Sequence, residues 1–147
     1  ASIAMGIEWR HTTNAPPDAW TRADFDDAAW SRGEAGFGTT GTPGAIVRTE
    51  WNSAAIWLRR RFTLDASKSS DESLRLLLHH DEDAEVWIDG VLALRVAGYT
   101  RAYERFPISA AARALLTRGE HVLAVHCTQT GGGQYVDVGL VAVRMPD

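Results

Sequence analysis

The chain has 147 residues, 45% of them hydrophobic and 23% charged, which suits one globular domain with its own core. Its net charge of −4, without a basic stripe or arginine-rich arm, argues against nucleic acid as a partner. No apolar run approaches about 18 residues, so no membrane partner is expected. The lone cysteine, Cys127, excludes an internal disulfide.

The first third of the chain is rich in turn-forming residues. We expect residues 1–16 to be an N-terminal arm or linker, and residues 17–54 to be an irregular opening segment of a single module spanning 1–147. Tryptophan is usually a core residue, although its flat ring also stacks on the apolar faces of sugars. Several aromatic side chains are expected to pin the opening segment to the domain: Trp20, Phe25, Trp30 and Phe37.

Residues 55–143 are predicted to form a strand-rich core, because apolar and polar residues alternate there. Strands are expected at AIWLRRRFTL (55–64), LRLLLHH (74–80), AEVWIDG (84–90), VLALRV (91–96), RFPIS (105–109), HVLAVHC (121–127) and YVDVGLVAV (135–143). Asp89-Gly90 predicts a tight hairpin turn. The alternation places one set of side chains in the core: Leu76, Leu78, Val86, Ile88, Leu123 and Val125.

One short helix is predicted near Ala110–Thr117, with Ser109 as its N-cap and Gly119 beyond its end. Short strands separated by turns, with a single helix, predict an all-β fold. We therefore expect an antiparallel β-sandwich of jelly-roll type.

Antiparallel strands place successive connections at alternate ends of a sandwich. Several segments should therefore meet at one end: TEWNSAA (49–55), HHDED (79–83), AGYTRAY (97–103) and CTQTGGGQY (127–135). These segments carry aromatic, amide and carboxylate side chains, whereas the opposite end carries Lys68, serines and the alanine-rich helix. Binding residues commonly lie on loops that a rigid scaffold positions, so this end is the expected binding end.

Particular stretches resemble a known family. IWLRRRFTL, AEVWIDGVLALRVAGYTRAY, RGEHVLAVHC and QYVDVGL resemble the sugar-binding jelly-roll domain of glycoside hydrolase family 2, one of the galactose-binding-like modules. PPDAW and DFDDAAWSRGEAGFG resemble the opening of such accessory domains, and HHDEDAEVW with HCTQTGGGQYVDVG resembles a subgroup found in glutaminase A-like proteins. The resemblance covers roughly residues 17–143, with Ala97-Gly98 where two glycines are usual and Asp89 where Asn is commoner. It implies the galactose-binding-like fold, but it does not fix a ligand because this fold hosts many functions.

The histidines and carboxylates of HHDED leave three interpretations open. His79 and His80 are neighbours in a strand and point to opposite faces, and no zinc-site spacing is present, which disfavours a transition-metal centre. The segment could instead be a buried histidine followed by a structural carboxylate loop. In the third interpretation, Asp81, Asp83 and a histidine bind sugar hydroxyls. A structural calcium also remains open, with Asp137 or an acidic group in the opening segment as ligands: Asp24, Asp26 and Asp27.

The sequence does not favour an enzyme. His126 and Cys127 are adjacent in a strand, so their side chains should diverge, and Cys127 is expected to be buried. Asp81 and Asp137 could act as a glycosidase pair only across a cleft of about 5–10 Å. The triple glycine of CTQTGGGQY lacks the lysine and helix of a phosphate loop, and is expected to let the backbone approach a ligand or a neighbouring loop.

The most consistent interpretation is a non-catalytic carbohydrate-binding module of a larger glycan-active protein that is secreted or periplasmic. Its partners would be an oligo- or polysaccharide and a neighbouring catalytic domain. The alternatives are an interface module with no small ligand, or a fragment that lends a loop to a neighbouring active site. The candidate sugar-binding residues lie on the converging segments: Trp51, His80, Asp81, Asp83, Tyr99, Tyr103, Gln134 and Tyr135.

Overall fold

A computed structural model describes residues 5–67, 73–129 and 131–142. Lys68 and its neighbouring serines at 69–70, which were expected at the end away from the binding loops, lie outside the described residues, as do Thr130 and Val143. The described chain forms two β-sheets that enclose one hydrophobic core.

The first strands in chain order are short: β1 (Glu8–Thr12), β2 (Ser31–Glu34), β3 (Phe37–Gly38) and β4 (Thr49–Glu50). The later strands include the longest ones: β5 (Ala55–Leu64), β6 (Leu74–Asp81), β7 (Ala84–Ile88), β8 (Val91–Val96), β9 (Glu104–Phe106), β10 (Gly119–Thr128) and β11 (Tyr135–Ala142). One sheet has the order β2-β1-β5-β10-β7-β8, and the other has the order β4-β3-β11-β6-β9.

Every pairing between these strands is antiparallel except that of β3 with β4. From β5 onward the chain crosses from one sheet to the other several times, so that only β7 and β8 form a hairpin within one sheet. The predicted antiparallel sandwich of jelly-roll type is confirmed. The hairpin prediction is also confirmed, because Asp89 and Gly90 both have positive φ, at 48° and 85°.

The interior is built as the alternation predicts. The predicted core residues are all buried, with 0–1% of each exposed: Leu76, Leu78, Val86, Ile88, Leu123 and Val125. Cys127 lies in the same core and is fully buried, as expected for a small apolar residue. Full burial of these side chains supplies the main driving force for closing the two sheets on each other.

The N-terminal third is more regular than its sequence indicates. Residues 1–16, expected to be an arm or linker, contain β1, which pairs with both β2 and β5 and buries Trp9. Residues 17–54 likewise contain three short strands. These strands are two to four residues long, too short for an alternation pattern to reveal. β3 pairs with the long strand β11, whereas β2 and β4 pair with the short strands β1 and β3.

The first part of the opening segment, through Trp30, packs on the outer face of the six-stranded sheet. Trp20 packs edge-on against Trp87 with ring centroids 5.1 Å apart, and Trp30 stacks beside Trp20. Arg59 is buried beneath and donates hydrogen bonds to the backbone carbonyl oxygens of Trp20 (2.9 Å) and Arg22 (2.7 Å). Phe37, in contrast, lies in the core between the sheets.

The predicted helix is present but shorter. It spans Ala110–Arg113, and the Ser109 hydroxyl caps it by accepting a hydrogen bond from the Ala112 amide (3.2 Å). It ends before Thr117 because the following residues form turns that bury Leu116 in the core. A 3₁₀ turn at Asp18–Thr21 was not predicted. No helix in the described ranges is both long and apolar enough to cross a membrane.

Candidate functional site

The predicted convergence of loops at one end of the sandwich is confirmed. Backbone hydrogen bonds tie the β6–β7 turn to the end of β10, from Glu82 N–H to Thr128 O (3.1 Å) and from Thr128 N–H to Asp83 O (2.9 Å). The Gln129 amide donates to the Ala54 carbonyl oxygen (2.8 Å), which ties the start of β5 to the same point. The segment after β8 joins them through the Thr100 amide, which donates to the carbonyl oxygen of His80 (2.8 Å). The loops therefore form one hydrogen-bonded rim.

A cleft of about 450 Å³ opens in this rim, and we call it the loop cleft. Its walls come from the β6–β7 turn, the segment after β8, the glycine run before β11 and one residue of the β3–β4 connection: Asp81, Glu82, Tyr99, Thr100, Arg101, Gly131, Gly132, Gly133 and Pro43. This volume is within the range of about 300–1,000 Å³ usual for small-ligand sites. The cleft combines an aromatic ring, carboxylates and a guanidinium group.

Tyr99 and Asp81 give the loop cleft its two kinds of contact. Tyr99 is 55% exposed, which is unusual for a large aromatic side chain, and its ring is available to a ligand. Asp81 is 8% exposed and lies deep in the wall. Burial, and secondarily the charge of Glu82, raise the pKa of the Asp81 carboxyl above its ordinary value. A hydrogen-bonding ligand that replaces lost water would therefore stabilise the Asp81 carboxylate.

One glycine of the run before β11, Gly133, lies where the backbone passes close to cleft side chains. A Cβ atom at Gly133 would lie 2.8 Å from Asp81 Oδ2 and 2.9 Å from Thr42 Cγ2. No larger residue fits there without displacing one of these side chains. The expectation that the glycines allow close approach to a neighbouring loop is confirmed at this position.

The structure brings only some of the predicted site residues to the loop cleft. Asp81 and Tyr99 line it, together with Glu82 and Arg101, which the sequence interpretation did not select. Glu82 and Arg101 lie in the same predicted segments, HHDED and AGYTRAY. Their loop position was therefore a usable signal, whereas the direction of each side chain was not visible in the sequence.

Trp51, Gln134 and Tyr135 lie beneath the rim instead of on it. Trp51 is 2% exposed and Tyr135 is 0% exposed, so neither presents a ring face to solvent. The Gln134 side chain donates to the Ser53 carbonyl oxygen (2.6 Å), and its backbone amide donates to the Thr42 hydroxyl (3.0 Å). In this conformation these residues brace the loops, which leaves Tyr99 as the exposed ring at the cleft.

A buried polar cluster lies on the outer face of the five-stranded sheet, under the loops that cover β6 and β11. The Tyr103 hydroxyl donates to the Asp137 carboxylate (2.5 Å) and lies 3.3 Å from the Tyr135 hydroxyl, which donates to the Ile46 carbonyl oxygen (3.0 Å). The His79 ring packs against both tyrosines, at 5.4 and 4.7 Å between centroids. Burial, then the Asp137 carboxylate, raise the pKa of the Tyr103 phenol far above its ordinary value.

The two adjacent histidines do point to opposite faces, as predicted, but both are buried. His79 faces the tyrosine cluster, whereas His80 lies near Phe106 and donates from Nδ1 to the Glu82 carbonyl oxygen (2.6 Å). Loops cover the outer face of β6 at His79, and alternation alone could not show that this side chain is buried. The hydrogen bond from His80 to the Glu82 carbonyl oxygen supports the β6–β7 turn, and His80 does not line the loop cleft.

Asp83 faces a different cavity. Its carboxylate accepts a hydrogen bond from the Gly98 amide (2.7 Å), and it lines a smaller cavity on the side of the six-stranded sheet with Glu85 and Arg95. Asp81 and Asp83 are two residues apart, yet Asp81 lines the loop cleft and Asp83 lines the smaller cavity, so the β6–β7 turn forms a wall between the two.

The carboxylates considered for calcium have protein partners. Asp24 forms an ion pair with Arg22, and Asp27 pairs with the buried Arg59 at 2.8 Å. Asp26 accepts a hydrogen bond from the Ala28 amide (2.9 Å). Within residues 5–67, 73–129 and 131–142, no cluster of three or more histidine, cysteine, aspartate or glutamate side chains could hold a metal ion.

Neither catalytic pair considered from sequence comes together in the loop cleft. The His126 ring stacks on Trp57 at 4.7 Å on the outer face of the six-stranded sheet, whereas Cys127 lies in the core. Burial raises the pKa of the Cys127 thiol well above its ordinary value, which disfavours the reactive thiolate. Asp137 is buried under Tyr103 and does not line the loop cleft that Asp81 faces.

Comparison with known proteins gives matches of structure only. No family profile matches the sequence, and no curated protein matches it. A glycoside hydrolase family 2 member from Bacteroides cellulosilyticus DSM 14838 matches 92% of this chain and 20% of its own at 13% identity, with a TM-score of 0.60. A β-glucuronidase of family 2 matches 86% of this chain and 14% of its own at 18% identity, with a TM-score of 0.57.

The chain has the fold of a glycoside hydrolase family 2 β-sandwich domain. A β-glycosidase from Bacteroides vulgatus agrees, with 15% identity over 92% of this chain and 20% of its own, and a TM-score of 0.57. The chain spans only 14% to 20% of the length of these solved proteins. At such identities the likeness establishes the fold, and function has to be argued from the site.

Proposed function

We propose that this chain is a non-catalytic carbohydrate-binding accessory domain of a larger glycan-active protein, and that sugar binds in the loop cleft. The observation that carries the proposal is the exposed Tyr99 ring in one cleft with Asp81, Glu82 and Arg101. An apolar face beside closely spaced donors and acceptors matches a sugar, whose ring has apolar C–H faces and a hydroxyl edge.

The cleft residues have complementary hydrogen-bonding capacity. The Asp81 and Glu82 carboxylates accept from sugar hydroxyls, and the Arg101 guanidinium donates to hydroxyl or ring oxygens. Stacking on Tyr99 would orient the ring over these groups. A shallow site of this kind buries little area, so we expect dissociation constants of about 10–1,000 μM.

The absence of catalysis is part of the proposal. Asp81 and Glu82 are adjacent in the chain and lie in the same wall, whereas a glycosidase needs carboxylates on both sides of the scissile bond. Asp137, the other carboxylate considered for such a pair, is engaged by Tyr103. The domain would then localise a neighbouring catalytic domain on its glycan, in a secreted or periplasmic protein.

The rival function is an interface module that packs against a neighbouring domain and binds no sugar. The exposure of Ile46 together with Tyr99 favours it, since exposed apolar side chains can mark a contact surface. The two functions differ in a simple way. A sugar site binds free glycans, whereas an interface module binds none.

The test is a glycan array on the purified chain, followed by calorimetric titration of the best binders with wild type and variants. Tyr99→Ala should weaken binding about tenfold or more, because it removes the aromatic anchor. Tyr99→Phe, which keeps the ring, should retain most of the affinity. Asp81→Asn should weaken binding as well, whereas Asp65→Asn, at an exposed position just beyond the far end of β5, should leave binding unchanged and serves as the control.

Two results would contradict the proposal. One is an array with no bound glycan at millimolar concentration, which would favour the interface module. The other is binding that is unchanged in both Tyr99→Ala and Asp81→Asn, which would move the sugar away from the loop cleft.

A further inference from the structure

A row of side chains crosses the outer face of the six-stranded sheet next to the rim. Strand register places Trp57 beside His126, His126 beside Glu85, and Glu85 beside Arg95. The contacts follow this register. His126 Nδ1 lies 3.5 Å from Glu85 Oε1, and Arg95 donates to Glu85 Oε2 from Nη2 (2.6 Å) and Nε (2.8 Å). The row is therefore held in place by its own stacking and charge contacts.

The row borders a cavity of about 240 Å³, which we call the sheet cavity. Its lining comes from β7, β8, β10 and the residues just beyond them: Asp83, Glu85, Arg95, Val96, Ala97, His126 and Thr128. The Arg95 side chain is 67% exposed, and Glu85 and His126 are partly exposed, so the cavity is open to solvent. Its volume is below the range of about 300–1,000 Å³ usual for a complete ligand site, which suits a subsite for one sugar unit.

The sheet cavity and the loop cleft lie on opposite sides of one wall, which the β6–β7 turn and the segment after β8 form. The β6–β7 turn gives Asp81 and Glu82 to the cleft and Asp83 to the cavity. The segment after β8 divides in the same way, with Ala97 in the cavity and Tyr99 in the cleft. Two residue steps span at most about 7 Å of chain, so each crossing of the wall is short.

A hydrogen bond joins the two strand connections that form the wall. The Asp83 carboxylate accepts from the Gly98 amide at 2.7 Å, which joins the β6–β7 turn to the segment after β8. The end of β10 completes the pattern, with Thr128 in the cavity and Gly131 in the cleft. Three separate segments thus contribute to both depressions.

The two depressions repeat the same chemistry. The loop cleft has two carboxylates, Asp81 and Glu82, with Arg101. The sheet cavity also has two carboxylates, Asp83 and Glu85, with Arg95. Each set offers acceptors and donors to hydroxyl groups, and the excess of carboxylates would repel an anionic ligand.

We propose that the sheet cavity is a second sugar subsite across the shared wall from the loop cleft, so that the domain binds a neutral oligosaccharide that crosses the wall more tightly than a single sugar. This inference rests on the proposed function of the loop cleft. It adds a ligand class, since two fixed subsites with neutral-sugar chemistry select for chain length and against acidic units. The gain with length would come from the second subsite, because linked units bind the second site at high effective concentration.

The experiment is calorimetric titration with cello-, xylo-, manno- and β-1,4-galacto-oligosaccharides of one to four units, using wild type, Tyr99→Ala, Arg95→Ala and Glu85→Gln. For the series that binds, affinity should rise about tenfold or more between one unit and three or four. Arg95→Ala and Glu85→Gln should abolish most of this rise while leaving binding of the single sugar within about twofold. Tyr99→Ala should weaken every member of the series.

The matched control is Arg61→Ala. Arg61 is also exposed and ion-paired, with Glu120 at 3.1 Å, and it lies in β5 near the opposite end of the same sheet. It should leave every affinity unchanged. Affinity that does not depend on chain length, or on Arg95 and Glu85, would overturn the second subsite while Tyr99→Ala still upheld the loop cleft. Oligogalacturonides of the same lengths are titrated as the acidic series, and tighter binding of these would contradict the ligand class. No binding by wild type to any series would overturn both proposals.

Discussion

The hydroxyl of Tyr103 offers a sharp test of how much the buried cluster stabilises the domain. It donates to the Asp137 carboxylate at 2.5 Å, and Asp137 is buried. Hydrogen bonds to charged groups contribute about 1.5–3 kcal/mol, so Tyr103→Phe should lower the free energy of unfolding by about that amount. The ring and its contact with His79 remain, so no cavity adds to the cost.

Tyr135→Phe is the matched control. Its hydroxyl donates to the neutral Ile46 carbonyl oxygen at 3.0 Å, so the expected loss is only about 0.5–1.5 kcal/mol. Urea unfolding followed by circular dichroism gives both values, with the denaturant slope checking that the transition stays two-state. The reasoning is refuted if Tyr103→Phe costs less than about 0.5 kcal/mol, or if Tyr135→Phe costs more than Tyr103→Phe. Glycan affinity should change little in Tyr103→Phe, since this hydroxyl faces Asp137 and not the loop cleft.

Three further predictions concern ionisation and space. Because the pKa of the Tyr103 phenol is raised, its stabilising contribution is present below pH about 10 and is lost above that pH. Tyrosinate absorbance should show this phenol ionising only with unfolding. Simultaneous ionisation of all tyrosines in the folded chain would contradict this prediction. Gly133→Ala should destabilise the chain by about 1–3 kcal/mol in urea unfolding, because its Cβ meets the Asp81 carboxylate. Gly131→Ala, with open space around its Cβ, should be tolerated. Equal effects of the two substitutions would argue against the close approach at Gly133. Burial opposes protonation of His121, but hydrogen bonds to Asp89 and to the Thr117 carbonyl oxygen outweigh it and raise the pKa of His121 above 6.5, so their stabilisation is present below pH 6.5 and is lost as pH rises through the raised pKa. Asp89→Asn should therefore cost more stability at pH 6 than at pH 9 in thermal unfolding. An equal cost at both pH values would count against the His121–Asp89 pair.

The sandwich was predictable because alternation over long strands dictates which residues are buried. The core of β6, β7 and β10 followed from this rule, and the Asp89-Gly90 turn followed from the backbone conformation it requires. The short strands β1 to β4 were not predictable, since they are too short to show alternation and their pairing depends on sheet edges formed elsewhere in the chain. The shorter helix has a similar cause, because burial of Leu116 ends it early.

The binding end was predictable as a region but not residue by residue. Strand parity brought the right loops together, and Asp81 and Tyr99 line the cleft as a result. The aromatic Trp51 was selected by residue type, and it is buried in the hydrophobic core just after β4. Side-chain direction in irregular loops depends on the surrounding contacts, which no periodicity encodes.

The most direct test of carbohydrate binding in the loop cleft is an NMR titration of the ¹⁵N-labelled chain with the best-binding neutral oligosaccharide. The largest saturable shifts should fall on amides of residues 81–83, 97–101 and 131–133, which border the cleft and its wall. Shifts confined to the helix, to residues 18–30 on the outer face of the six-stranded sheet or to the far ends of β5 and β10 would contradict the account. So would the absence of any saturable shift with every glycan of the panel.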